Sequence, residues 1–173
     1  MSKTLLVMRH AKSSWKKPNL TDHQRPLNKR GLGDAVRMAR WLFDQNLVPE
    51  HIFHSSAVRT TMTSKLMNER FEALQTPPVT ITEVDDLYLA RWQVYISELS
   101  TRLSSDAADT VMVLGHCPGV EDLVEALTDQ WVTMPTATIA RLSYNHDSWA
   151  ELKKKHRKHF QLEDLWLPKE ILD

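Results

Sequence analysis

Short unbroken apolar runs alternate along this chain with longer segments whose apolar residues recur every three or four positions. Leu5–Met8 is continuous rather than alternating, as expected of a strand buried on both faces. A polar loop from Ala11 to Pro26 precedes a helix that Asn28 is placed to cap. Its apolar positions Leu32, Ala35, Val36, Ala39, Leu42 and Phe43 recur at helical spacing, and Pro49 closes the unit. His51–Ser55 predicts a second strand, and Val58 to Phe71 a helix with Met62, Leu66 and Met67 on one side. After the break at Thr76-Pro77-Pro78, the β-branched stretch Val79–Val84 predicts a third strand. A helix over Arg91–Leu103 follows, with Trp92, Tyr95, Ile96 and Leu99 at apolar spacing. Thr110–Leu114 is the strongest buried strand, Gly119–Leu127 a helix, and Ala137–Tyr144 alternates as a half-exposed edge strand should. This order predicts a three-layer α/β/α sandwich on a mostly parallel central sheet. No repeat or linker interrupts it, so residues 1–173 are expected to form a single domain.

Composition narrows the classes of function. Among 173 residues, 22 basic and 22 acidic side chains cancel. No bulk electrostatic footprint for nucleic acid or an anionic membrane is therefore expected. Cys117 is the single cysteine, which excludes an internal disulfide and a cysteine-cluster zinc site. The first apolar run is too short for a signal segment or a membrane span, so a cytoplasmic protein is expected; the sequence leaves its oligomeric state open, with a monomer favoured.

The candidate chemistry lies where strands end. Arg9-His10 closes the first apolar run and Gly115-His116 closes a later one. In open parallel sheets, that edge is where ligands bind. With Arg59 following the second strand, the implied site is a cluster of imidazoles and guanidiniums suited to a phosphoryl group. A neutral imidazole offers a nucleophilic ring nitrogen near pH 7, provided its other nitrogen is held as N–H by an acceptor. Arg9 should disfavour protonation of His10 by like-charge repulsion. Planar guanidiniums grip two phosphoryl oxygens at once. The N-terminal N–H groups of the helix carrying Arg59 can face the same anion.

Four segments in order carry a resemblance: Arg9-His10-Ala11, Arg25-Pro26-Leu27-Asn28-Lys29-Arg30-Gly31, Ser55-Ser56-Ala57-Val58-Arg59-Thr60, and Val113-Leu114-Gly115-His116-Cys117-Pro118-Gly119. Together they resemble the histidine phosphatase (phosphoglycerate-mutase-like) superfamily, and most nearly its small SixA-type phosphohistidine phosphatases. That subgroup is also similar at Met134-Pro135-Thr136-Ala137 and at Trp166-Leu167-Pro168. The resemblance implies a phosphoglycerate-mutase-like fold and a transiently phosphorylated His10, with Arg9, Arg59 and His116 completing the pocket. Arg25 and Ser13 are further substrate-binding candidates, and neither metal nor cofactor is implied. Two positions depart from the family pattern. Ala11 replaces a glycine, so a positive φ is not expected there. Leu89 falls where mutases and many phosphatases carry a proton-donating glutamate; Glu83, Asp85 and Asp86 are possible substitutes.

An absent acid suits a phosphoramidate such as phosphohistidine, whose imidazole leaves readily, better than a phosphate ester. Between Leu89 and Thr110 there is room for one helix and a loop but no lid, and an uncapped site admits a side chain on a folded partner. The expected activity is removal of phosphate from phosphohistidine on a partner protein. The alternatives are a small-molecule phosphomonoesterase or mutase, and a non-catalytic phospho-ligand binding module. Elsewhere, Trp15 is expected to pack over its own loop and Cys117 to be a buried small residue. His51 and His54 would point to opposite sides of their strand, and His23 and His146 read as loop residues. The run Lys153–His159 reads as a solvated basic face, with docking of an acidic protein as the alternative.

Overall fold

The structure, a computed structural model, describes residues 2–103, 107–152 and 159–171; Lys153–Lys158 of the basic run lie outside the described residues. Strands β1 (Lys3–Arg9), β2 (His51–His54), β3 (Thr80–Glu83), β4 (Thr110–Gly115), β5 (Ile139–Tyr144) and β6 (Phe160–Trp166) form a sheet ordered β3-β2-β4-β1-β5-β6. β5 is antiparallel to both neighbours, and the other pairings are parallel. Helices α1 (Lys29–Asp44), α2 (Val58–Ala73), α3 (Trp92–Arg102) and α4 (Gly119–Thr128) complete the three layers.

Alternation along the strands divides the core. Leu6, Met8, Met112 and Leu114 pack with Ala35, Met38, Ala39 and Leu42 of α1 and with Met67 and Phe71 of α2. Leu5, Val7, Val111 and Val113 point the other way, toward Tyr95, Ile96 and Leu99 of α3 and Val120, Leu123 and Val124 of α4. Because side chains on a strand alternate between faces, a four-residue apolar run such as Leu5–Met8 fills both layers at once.

Local signals locate α1 well. The Asn28 side chain accepts the Gly31 N–H at 2.9 Å, capping the helix. Gly31 is required by proximity, since a Cβ there would sit 2.2 Å from the Lys12 carbonyl oxygen. That contact seats the start of α1 against the loop leaving β1. Leu32, expected on the apolar stripe, is exposed, whereas Met38, not on that stripe, is fully buried.

The expectation of an edge strand at Ala137–Tyr144 is corrected. β5 lies between β1 and β6, and β6 is the edge. The polar positions of β5 are partnered across the sheet while staying partly exposed. Arg141 donates to Asp164 at 2.9 Å, and Ser143 pairs with Glu163. Cross-strand pairing of this kind is indistinguishable from solvent exposure in a sequence pattern. The adjacent acids Glu163 and Asp164 also hid β6, which sequence reading left unassigned.

Candidate active site

α1 follows β1 into one helical layer and α4 follows β4 into the other, yet β1 and β4 are neighbours, with Arg9 opposite Gly115. The chain therefore diverges to opposite faces at this point, which opens a crevice beyond the carboxyl ends of the strands. His10 and His116 emerge there side by side, their ring centroids 5.2 Å apart. β2 ends on the other side of β4 and delivers Ser55 and the first turn of α2, which carries Arg59. All six residues expected from sequence line one cavity of about 340 Å3: Arg9, His10, Ser13, Arg25, Arg59 and His116. A wider groove, about 850 Å3, runs along α1 beside Lys29, Arg30 and Lys169, but its lining contains no imidazole or hydroxyl.

Hydrogen bonds assign both tautomers. His10 Nδ1 lies 2.7 Å from the Ala11 carbonyl oxygen, which can only accept, so Nδ1 carries the proton. Its Nε2 lone pair accepts from Arg59 Nε at 3.3 Å. His116 is the reverse. Arg59 can only donate, so His116 Nδ1 accepts from its NH2 nitrogen at 3.2 Å. His116 Nε2–H then donates to Ser55 Oγ at 2.5 Å. Ser55 in turn donates to Thr60 Oγ1 at 2.9 Å, and the Thr60 hydroxyl donates to the Ala57 carbonyl at 2.7 Å.

Charge and burial keep both rings neutral. Burial is the largest influence on His10, and with Arg59, Arg9 and Arg25 it lowers the pKa to about 4 against the bond to Ala11. Burial likewise leads in lowering His116 to about 3, helped by His10 and Arg59. The sequence argument from Arg9 alone had the right sign but named a lesser cause. Nitrogen-detected NMR should accordingly show His10 as the Nδ1–H form and His116 as the Nε2–H form, both unchanged from pH 8 to 5. In the unfolded chain both titrate near their ordinary value of about 6.5. Between there and the native values the unfolded state binds more protons, so this contribution to stability is lost as pH falls below about 6.5. Denaturant midpoints at pH 7 and 5 measure it.

Sequence reading missed Asp22. Its backbone carbonyl accepts from Arg59 at 2.7 Å, and its carboxylate accepts from Arg59 at 3.0 Å and from the Tyr88 hydroxyl at 2.6 Å. Arg25 lies 3.7 Å from the same carboxylate. Burial alone would raise the Asp22 pKa, but Tyr88, Arg59 and Arg25 outweigh it and hold the carboxylate below its ordinary value. His23 was read as a loop residue; its ring packs edge-on to Tyr88, and its Nε2 pairs with Ser56 Oγ. The sole sequence clue to Asp22 is its place three residues before Arg25.

The remaining expected groups are placed as follows. Arg25 donates to Ser13 Oγ at 2.6 Å, which joins those two in one subsite. Arg9 donates to the Met134 carbonyl at 3.0 Å, and the Ala137 N–H lies 3.0 Å from the His10 carbonyl. The Met134–Ala137 segment thus clamps the end of β1. Ala11 is absent from the residues with positive φ, whereas Leu89 has φ 50°. Glu83, Asp85 and Asp86 do not line the cavity, and Glu83 meets Thr61 instead. Burial pushes the Cys117 thiol up to about 12, which makes it a poor nucleophile. Trp15 packs within its own loop, as its ring stacks on the Arg25 guanidinium at 3.4 Å, but it stays exposed and lines the cavity. Among the described residues no cluster of three or more potential metal ligands is present.

Gly115 explains the close approach of β4 to α3. A Cβ there would lie 1.9 Å from the fully buried Tyr95 hydroxyl oxygen. Gly115→Ala should therefore displace His116 and cost about 1–3 kcal/mol as overpacking, read as a lowered denaturation midpoint.

Comparison with known proteins agrees with this geometry. The profile of the histidine phosphatase superfamily (branch 1) matches residues 5–121. A chloroplastic protein of Arabidopsis thaliana without an assigned function is 32% identical over 158 residues, 87% of this chain and 71% of the relative. A Mycobacterium leprae protein, also without an assigned function, is 33% identical over 124 residues, 70% of this chain and 71% of its own. An Agrobacterium tumefaciens structure assigned as a phosphohistidine phosphatase SixA superposes with a TM-score of 0.77 at 25% identity, covering 97% of this chain and 99% of that one. The protein histidine phosphatase SixA complexed with tungstate shares the fold, with a TM-score of 0.80 at 19% identity over 98% of this chain and 99% of its own. The chain belongs to the histidine phosphatase superfamily. Its sheet and helices form the phosphoglycerate-mutase-like fold, and family and fold together support phosphatase activity. No helix among the described residues is long and apolar enough to cross a membrane.

Proposed function

We propose that this protein hydrolyses phosphohistidine on a partner protein through a phosphorylated His10, with no metal or cofactor. The supporting observation is a neutral His10 whose unprotonated Nε2 sits among guanidiniums, in a cavity whose lining carboxylate, Asp22, is held ionised. His10 Nε2 attacks phosphorus, the substrate's N–P bond breaks, and its electron pair returns to the departing imidazole. With the substrate ring protonated at its other nitrogen it departs as neutral imidazole, so donor and acceptor are chemically the same group and the transfer needs no further proton. Water then attacks phosphorus and leaves with it as dihydrogen phosphate, which restores the Nε2 lone pair. An alkoxide would instead need a proton that ionised Asp22 cannot give.

Arg59, Arg9 and Arg25 hold the phosphoryl oxygens in this reading, with Ser13 fixing Arg25. His116 gives its N–H to Ser55 here and so is not a donor as it stands. A phosphoryl dianion beside Nδ1 would favour its protonation and turn that nitrogen into a donor.

The route of access is consistent with a macromolecular substrate. The segment joining β3 to α3 holds one short 3-10 turn, Asp85–Leu87, and inserts no lid. The deciding experiment compares kcat/KM on a phosphohistidine protein with that on alkyl phosphomonoesters, with acid quenching to trap the phosphoenzyme. The expected result is a strong preference for the N–P bond and an acid-labile phosphoenzyme. Equal rates on the esters would overturn the substrate assignment, and no phosphoenzyme on any substrate would leave a binding module.

A further inference from the structure

Four large hydrophobic side chains are exposed among the described residues, Trp15, Leu32, Leu89 and Trp131, and two of them, Trp15 and Leu89, line the cavity that holds His10 and His116. Scattered exposed hydrophobics are ordinary on a protein surface. These two are not scattered, and each is held in place by something beyond chance.

Trp15 is 74% exposed, yet its ring is fixed against the Arg25 guanidinium. Arg25 is itself buried and tied to Ser13 and Asp22. The indole therefore rests on a rigid polar base with one face occupied by a cation and most of its surface turned to solvent. An indole already immobilised loses little conformational freedom when something stacks on it. Leu89 is 56% exposed and adopts a left-handed backbone, φ 50°. A leucine in that region costs of order 1 kcal/mol and persists only where its surroundings impose it. It lies on the His116 side of the cavity and also lines an adjoining one of about 260 Å3 with His116 and Cys117. The polar floor is thus flanked by apolar surface near Arg25 and near His116.

We infer that the free face of Trp15, with Leu89, is a leaving-group subsite that takes a planar ring bonded to the phosphoryl group. The inference deepens the phosphohistidine reading and rests on it for the identity of that ring, an imidazole. A phosphoryl seated among Arg9, Arg25 and Arg59 leaves its substituent directed toward the mouth. The group met there should be flat and weakly polar, since an indole offers a π face and Leu89 offers only methyl groups. An extended polar substituent such as a sugar would lose hydration against both without gaining a hydrogen bond.

The test compares two N–P compounds that differ in the ring, phosphoimidazole and phosphoramidate, on wild type, Trp15→Ala and Trp15→Phe. The quantity read is the ratio of kcat/KM for the ring-bearing over the ring-free substrate. Trp15→Ala should lower that ratio about tenfold, the size of one lost stacking contact, and Trp15→Phe should restore most of it. A ratio unchanged from wild type overturns the subsite and shows that any loss of rate acts through Arg25. If Trp15→Ala fails to fold, Leu89→Gly serves, because glycine accepts φ 50° without strain; its ratio should fall severalfold, and an unchanged ratio overturns the subsite. If wild type cleaves neither N–P compound, the phosphohistidine reading fails separately. Phenyl and ethyl phosphate then supply the same ratio, judged by the same two outcomes.

Discussion

Replacing His10 with alanine is expected to abolish the acid-labile phosphoenzyme and to lower turnover at least about 10⁴-fold, as removal of a covalent nucleophile does elsewhere. The position and state of the ring carry this expectation. Its Nδ1 proton is committed to the Ala11 carbonyl, so the nitrogen facing the cavity keeps its lone pair. Burial and three arginines hold the ring neutral down to about pH 4, so the lone pair is available across the physiological range. The backbone of residue 10 stays anchored in the variant, because its N–H donates to the Gly115 carbonyl at 3.0 Å whatever the side chain. The guanidiniums also remain, so the variant should still bind inorganic phosphate or tungstate. Rapid quenching with radiolabelled substrate, together with calorimetric phosphate binding, separates loss of the nucleophile from loss of the pocket. Retained label on the His10→Ala protein would refute the covalent mechanism.

Arg59→Ala should cost about 10²–10³ in kcat, the usual loss for one donor to transition-state charge. Arg59→Lys should recover only part of it. Arg59 is the hub of the site, donating to His10, His116, the Asp22 carbonyl and the Asp22 carboxylate. An ammonium keeps the charge but lacks the planar fork that reaches several acceptors at fixed angles. The variant has a second signature. Arg59 is one of the charges that depress both imidazoles, so its removal should raise the pKa values of His10 and His116. Burial, the larger cause in each, persists and keeps them below their ordinary value. NMR titration of the Arg59→Ala protein reads this independently of activity. Unmoved imidazole pKa values would show that the guanidinium does not govern their charge.

Much of this site was legible in one dimension because its members sit at strand ends, and strand ends follow from local hydrophobic runs. Leu5–Met8 and Val111–Leu114 each stop one residue short of a histidine, and the residue after each strand must lie on the sheet edge. The Asn28 cap and the close contact of Gly31 are likewise local. What a linear pattern could not supply was strand order. Nothing in the chain places β4 between β1 and β2, and that adjacency is what brings His10, His116 and Arg59 within hydrogen-bonding reach. Nor did the pattern reveal β6, because the polar residues of β5 find partners across the sheet as readily as they would find water.

The sequence by itself determined which groups stand at the carboxyl ends of the strands, since apolar runs and their interruptions are properties of neighbouring residues. Only the tertiary structure decided their chemical state. The His116 tautomer and the ionised Asp22 under Tyr88 depend on contacts between residues distant in the chain, whereas the His10 tautomer is set by the neighbouring Ala11 carbonyl. Burial and hydrogen-bond partners, which set protonation, are created only when those segments meet.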